Sequence, residues 1–171
     1  MPVTTFDLLQ HIQIAGILHA NCPKKSGNTN RIWDGKTPYI FHPLWCASTI
    51  VTEQLLGEGV RKRGALTLIY HDVIEDTLGS LPSNLPRDVI TAIQQMTFES
   101  QLSTWENIRR RDPEIRLFKL YDKTANLLDP LELRAFDLQD QRILVQVLIE
   151  DVKENYGNLN IVKIASSLAA V

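Results

Sequence analysis

Apolar residues recur at helical spacing along most of the chain, and no stretch of useful length alternates in the manner of a strand. This pattern predicts helices over residues 5–21, 43–55, 60–78, 88–96, 102–110, 114–128, 131–156 and 159–168. We therefore expect an all-α fold in which residues 1–171 form one compact helical bundle. Residues 10–130 contain the motifs described below, and residues 131–170 would supply two closing helices.

The helix predicted over residues 60–78 is apolar nearly all round, yet it ends in the letters HDVIEDT. His71 and Glu75 stand four residues apart, as do Asp72 and Asp76, so one wall of the helix carries an imidazole and three carboxylates. Leaving such groups buried and unpaired would cost several kcal/mol each. A divalent cation ligated by His71 and Asp72, with the other two carboxylates left for water or substrate, would satisfy them. The alternative is a helix end that emerges into solvent.

Residues 21–41 are rich in glycine, proline and basic side chains, which predicts a long loop. Within it Arg31 is the best-placed group for holding a phosphate, because two apolar residues follow and can anchor it. A solvated loop is the alternative for its lysines. His42 stands at the start of the next helix, with a nearby proline on either side to restrict the chain.

The helix predicted over residues 114–128 contains Lys119, Asp122 and Asn126 at spacings of three and four. Taken alone, an acidic residue between two lysines is most simply an intrahelical ion pair. Together with the residues above it completes an order of His, then His-Asp, then Asp on successive helices.

That order resembles the HD-domain metal-dependent phosphohydrolases. Three motifs, PYIFHP at 38–43, HDVIEDT at 71–77 and KLYDK at 119–123, are similar to those of hydrolases of guanosine 3',5'-bispyrophosphate (ppGpp). That group comprises the hydrolase half of the Rel and Spo enzymes and small standalone hydrolases. No nucleotide-synthesising domain follows in the sequence, so we expect the standalone type, with the HD-domain helical fold.

The resemblance implies a site and a reaction. The implied cofactor is a divalent metal ion, usually manganese, and its ligands would be His42, His71, Asp72 and Asp122. The implied catalytic pair is Glu75 and Asp76. The implied substrate contacts are Arg31, Asn126 and Lys119. In the implied reaction water attacks the 3'-pyrophosphate, which releases pyrophosphate and leaves a guanosine 5'-phosphate. The ligand set by itself suits Mn, Fe or Zn.

Several residues depart from the family pattern near the substrate. Ile32 follows Arg31 where the family often has a second basic residue, Leu128 stands where it often has an arginine, and Tyr70 precedes the His-Asp pair. The metal ligands are complete while the phosphate and base contacts are altered. Two other functions therefore stay open: an HD phosphohydrolase of another nucleotide or phosphorylated metabolite, and a nucleotide-binding module without catalysis.

The composition narrows the choice of partner. A formal net charge of -2 and a pI near 6.1 argue against a nucleic-acid partner and leave a small-molecule nucleotide. The chain starts without the basic region of a signal peptide, and no apolar run approaches the roughly 18 residues of a membrane span. We expect a reduced, cytoplasmic protein, with Cys46 as a small core residue. The sequence leaves the oligomeric state open.

Overall fold

The computed structural model describes residues 5–21, 32–33, 36–98, 101–129 and 135–170. Within these residues the chain forms eight α-helices, one short 3₁₀ helix and one antiparallel hairpin. The elements are α1 Thr5–Asn21, β1 Ile32–Trp33, β2 Thr37–Pro38, α2 Phe41–Val51, α3 Glu58–Asp76, α4 Arg87–Met96, α5 Gln101–Asn107, the 3₁₀ helix Ile108–Arg110, α6 Pro113–Leu127, α7 Ala135–Tyr156 and α8 Asn160–Ala169. The all-α prediction is confirmed. None of these helices combines the length and the apolar character needed to cross a membrane.

The helix ends agree with the predicted ones to within a few residues. Helix α3 ends two residues before the predicted end because Thr77 has extended backbone. The Thr77 hydroxyl donates a hydrogen bond to the Val73 carbonyl oxygen at 2.8 Å. The hairpin was not predicted. Its strands pair Ile32 with Pro38 and Trp33 with Thr37, and two residues are too few to show an alternating pattern.

Helix α3 lies at the centre of the fold and packs against α1, α2, α4 and α6. Residues 64–73 are all buried, so this part of the helix is covered on every side. Gly64 permits the close approach of its neighbours: a Cβ at this position would lie 2.7 Å from the ring of Phe118 on α6 and would also overlap Ile50 on α2. The three helices that carry the predicted ligands are therefore packed directly against one another.

A buried carboxylate links the end of α2 to α8. Glu53 is only 1% exposed, and its Oε1 accepts hydrogen bonds from the Ile161 amide at 2.8 Å and the Tyr121 hydroxyl at 3.2 Å. Its Oε2 accepts from the Asn160 amide at 3.0 Å. Because the first amides of a helix lack intrahelical acceptors, Glu53 acts as a cap supplied from elsewhere in the fold. The sequence analysis did not single it out.

Cys46 has the role expected from the sequence. It lies in α2 among buried side chains, and its thiol is free. Burial raises the pKa of the Cys46 thiol well above its usual value. The residue is therefore part of the core and is not a reactive thiolate.

Candidate metal centre

Two imidazoles and two carboxylates from three helices meet inside the protein, all at most 5% exposed. His42 lies in the first turn of α2, His71 and Asp72 lie near the end of α3, and Asp122 lies on α6. Three of them, His42, His71 and Asp72, offer ligand atoms that all lie within 4.8 Å of one another. Asp122 Oδ1 lies 3.5 Å from His42 Nε2 and 3.6 Å from His71 Nε2. The fold thus brings together the four residues predicted as metal ligands.

The Nε2 atoms of both imidazoles are buried and, within the described part of the chain, make no hydrogen bond. The Nε2 atom of His71 lies 3.1 Å from Asp72 Oδ2, and that of His42 lies 3.5 Å from the same oxygen. These distances suit ion pairs, but the groups are not aligned as hydrogen bonds. A buried polar atom left without a partner costs about 1–3 kcal/mol. Two such nitrogens facing two carboxylates form a donor set that fits a divalent metal ion.

Burial and neighbouring charges shift the pKa values of the two imidazoles in opposite directions. Burial lowers the pKa of His42. Burial also opposes charge on His71, but the neighbouring Asp72 and Asp122 raise its pKa to about 9. For Asp122, burial acts against ionisation, and Lys119, followed by Lys123 and the two imidazoles, overcomes this and holds the pKa of the carboxyl well below its usual range. A divalent cation at this site would be held by the ionised Asp122 and would compete with the proton on His71.

Three contacts orient ligands from α2 and α3. The Nδ1 atom of His71 lies 2.8 Å from the Leu68 carbonyl oxygen, which leaves Nε2 to face the centre. The Tyr39 hydroxyl donates a hydrogen bond to Asp72 Oδ2, and the Tyr39 ring stacks on His42 with 5.3 Å between ring centroids. Tyr39 belongs to the first motif, but no role was predicted for it from the sequence.

Two other side chains hold Asp122 in place. The Lys119 ammonium lies 2.8 Å from Asp122 Oδ2, and Asn126 Nδ2 donates to Asp122 Oδ1 at 3.2 Å. Lys119 also donates to the Met96 carbonyl oxygen at 3.1 Å. Of the predicted substrate contacts, Lys119 and Asn126 thus lie against a predicted metal ligand.

The predicted catalytic pair lies at the end of α3. Glu75 and Asp76 are both half-buried, one turn after the ligands on the same helix. Burial raises the pKa of Glu75, and Lys119 acts against that rise. A carboxyl group with a raised pKa is suited to exchanging protons near neutral pH. Arg31, the remaining predicted substrate contact, lies outside the described residues.

Comparison with solved structures identifies a protein of the same fold, described as a metazoan ortholog of SpoT that hydrolyses ppGpp. The two structures agree with a TM-score of 0.70 over 94% of this chain and 92% of that one, at 19% sequence identity. No protein-family model matches this chain, and no curated protein matches it. At this identity the likeness shows the fold, so the predicted HD-type helical fold is confirmed.

Proposed function

We propose that this protein is a metal-dependent phosphohydrolase that removes the 3'-pyrophosphate from ppGpp or a closely related nucleotide. The observation that carries the proposal is the pair of buried Nε2 atoms, on His42 and His71, that face two carboxylates without hydrogen-bond partners among the described residues. The three sequence motifs and the fold shared with a ppGpp hydrolase support the substrate class. The cytoplasmic location stays a prediction.

The metal ligands in this proposal are His42, His71, Asp72 and Asp122. A divalent ion held there, for which Mn²⁺ is our first candidate, would lower the pKa of water and stabilise negative charge on phosphoryl oxygens. Both carboxylates are oriented before the ion binds, Asp72 by Tyr39 and Asp122 by Lys119. Preorganisation of this kind lowers the cost of arranging the site during the reaction.

Glu75 takes the role of general base in the proposed reaction, with Asp76 beside it. The water oxygen forms a bond to the phosphorus that carries the nucleotide 3' oxygen, and Glu75 accepts a proton from that water. The bond between phosphorus and the 3' oxygen breaks, and the 3' oxygen takes a proton. The products are pyrophosphate and guanosine 5'-diphosphate. Arg31 and Asn126 remain our proposed contacts to phosphate and nucleotide.

The first experiment is product analysis with purified protein, Mn(II) and ppGpp. We expect pyrophosphate and guanosine 5'-diphosphate in equal amounts, and no product from Asp72→Ala at the same protein concentration. Pyrophosphate release that is undiminished in the Asp72 variant would rule out this site as its source.

A second experiment tests the general base. Glu75→Gln keeps the size of the side chain and removes its ability to accept a proton, so turnover should fall about 100- to 10,000-fold while bound metal is retained. Glu58→Gln, at the exposed start of the same helix, serves as the matched control. Full activity in Glu75→Gln would exclude the residue from proton transfer.

One observation favours a second candidate substrate. Ile32, which stands where related sequences often have a basic residue, is 44% exposed on β1 and offers no charge to a phosphate. Another nucleotide with fewer phosphates would need less positive charge at this position. The same assay with a panel of nucleoside mono-, di- and triphosphates separates the two candidates. Activity confined to the panel would keep the metal mechanism and exclude ppGpp.

A further inference from the structure

The ammonium group of Lys119 is fully enclosed by the protein. The residue is 2% exposed, and its Nζ lies 2.8 Å from Asp122 Oδ2, 3.1 Å from the Met96 carbonyl oxygen and 5.3 Å from the centroid of the Phe98 ring. A lysine ammonium has three N–H donors, and two acceptors and one aromatic face account for all three directions. The group therefore has no donor left for a substrate phosphate.

Lys119 contacts one oxygen of Asp122, and the other oxygen faces the candidate metal centre. Lys119 engages Oδ2, and the other oxygen, Oδ1, lies 3.5 and 3.6 Å from the Nε2 atoms of the two imidazoles. Removing one partner of a buried ion pair is strongly destabilising, because the other charge is left buried without compensation.

We propose that Lys119 is a positioning residue of the candidate metal centre, which holds Asp122 by Oδ2 so that Oδ1 faces His42 and His71. This inference rests on the proposed function only in taking the site to bind a divalent ion, and it needs no particular substrate. It also replaces the sequence-based expectation that Lys119 contacts the substrate. Removal of such a supporting group typically weakens metal binding about 10- to 100-fold.

The chain supplies a matched control in Lys123. It lies one turn further along α6, carries the same charge and approaches the same Asp122 oxygen at 3.5 Å. Its side chain is 14% exposed, so water can replace the contact of its ammonium with Asp122. A general effect of positive charge near Asp122 would act through both lysines, whereas a positioning effect acts through Lys119 alone.

The test is titration of metal-free protein with Mn(II) by calorimetry and with Co(II) by visible absorption. For Lys119→Met we expect Mn(II) affinity to fall about 10- to 100-fold and the Co(II) spectrum to change, because Asp122 is no longer fixed. For Lys123→Met we expect a change of less than about threefold and an unaltered spectrum. If Lys119→Met binds both ions as the unmodified protein does while its KM rises, Lys119 is a substrate contact and the inference is overturned.

A second comparison tests the inference if Lys119→Met does not fold stably. If Lys119→Met melts at low temperature, the double variant Lys119→Met, Asp122→Asn should recover much of the loss, since no uncompensated charge remains. A double variant as unstable as the single one would mean that Lys119 serves packing, which overturns the inference.

The titrations also separate this inference from the proposed function. Unmodified protein that binds neither ion would overturn both. If unmodified protein binds the ions but hydrolyses no nucleotide, the proposed function is overturned. The metal titrations of the Lys119 variant would then still test the inference.

Discussion

Glu53 and the candidate metal centre are two places where carboxylates are buried, and they differ in what surrounds the charge. Glu53 accepts hydrogen bonds from two backbone amides and the Tyr121 hydroxyl, so each of these donors has an acceptor within the protein. At the candidate metal centre, Asp72 and Asp122 face imidazole nitrogens that make no hydrogen bond within the described residues. Burial alone therefore does not distinguish a structural carboxylate from a functional one. The unmet hydrogen-bonding capacity of the neighbouring groups does.

The largest difference between the two places should appear in activity. We expect Asp72→Ala to lower pyrophosphate release by at least about 1,000-fold, because loss of a ligand removes charge stabilisation worth several kcal/mol. Glu53→Ala, assayed well below its melting temperature, should keep its turnover number within about threefold. Initial rates at saturating substrate and Mn(II) measure both. A comparable loss of turnover in the Glu53 variant would show that the two places are not independent.

The next difference concerns stability. Glu53→Ala leaves three donors without their acceptor, among them the buried Ile161 amide and Tyr121 hydroxyl, and we expect the free energy of unfolding to fall by about 3 kcal/mol. For a protein of this size that corresponds to a drop in melting temperature of roughly 6–12 °C. Urea unfolding measures the change, and Glu58→Ala, a fully exposed glutamate, should leave the urea midpoint nearly unaltered. A small effect of Glu53→Ala would mean that water enters and replaces the cap.

Stabilisation of the protein by metal should depend on the candidate metal centre and not on Glu53. At a free Mn(II) concentration 100 times the dissociation constant, binding to the folded state adds about 2.7 kcal/mol to the free energy of unfolding. We expect this gain in the unmodified protein and in Glu53→Ala, and we expect it to be lost in Asp72→Ala. Thermal melts with and without chelator measure it. A gain that survives in Asp72→Ala would place the ion elsewhere.

The smallest expected effect is a pH dependence of the metal-free protein. The pKa of His71 is about 9 when folded, against about 6.5 when unfolded. A raised folded pKa contributes stability that is fully present below about pH 6.5 and is lost as the pH rises through about 9. We expect the metal-free protein to lose on the order of 1 kcal/mol across this window in urea unfolding. The same slope in His71→Asn would assign the effect to other groups.

The helices and the convergence of the motif residues could be predicted because both depend on short-range patterns in the sequence. Helical spacing of apolar residues is a short-range signal, so the helices were predicted to within a few residues, and the motifs fixed which residues would converge. The role of Glu53 was not predicted because its partners Asn160 and Ile161 lie 107 and 108 residues away along the chain. A glutamate that follows a helix has no local sequence pattern that indicates such a role. Lys119 was predicted to contact the substrate because the family resemblance implied it. Only the packing of α6 against the end of α4 shows that its ammonium is enclosed.

The link between Glu53 and α8 also has a consequence for how the protein is made. At about 5–20 residues per second, a ribosome reaches Asn160 roughly 5 to 20 seconds after it has added Glu53. During that interval the α8 amides that donate to Glu53 have not yet been made, and the carboxylate stays hydrated. Closing a contact over 107 residues is slow compared with forming the local helices. A nascent chain released before Asn160 would therefore expose a charged side chain at a position that the mature protein seals.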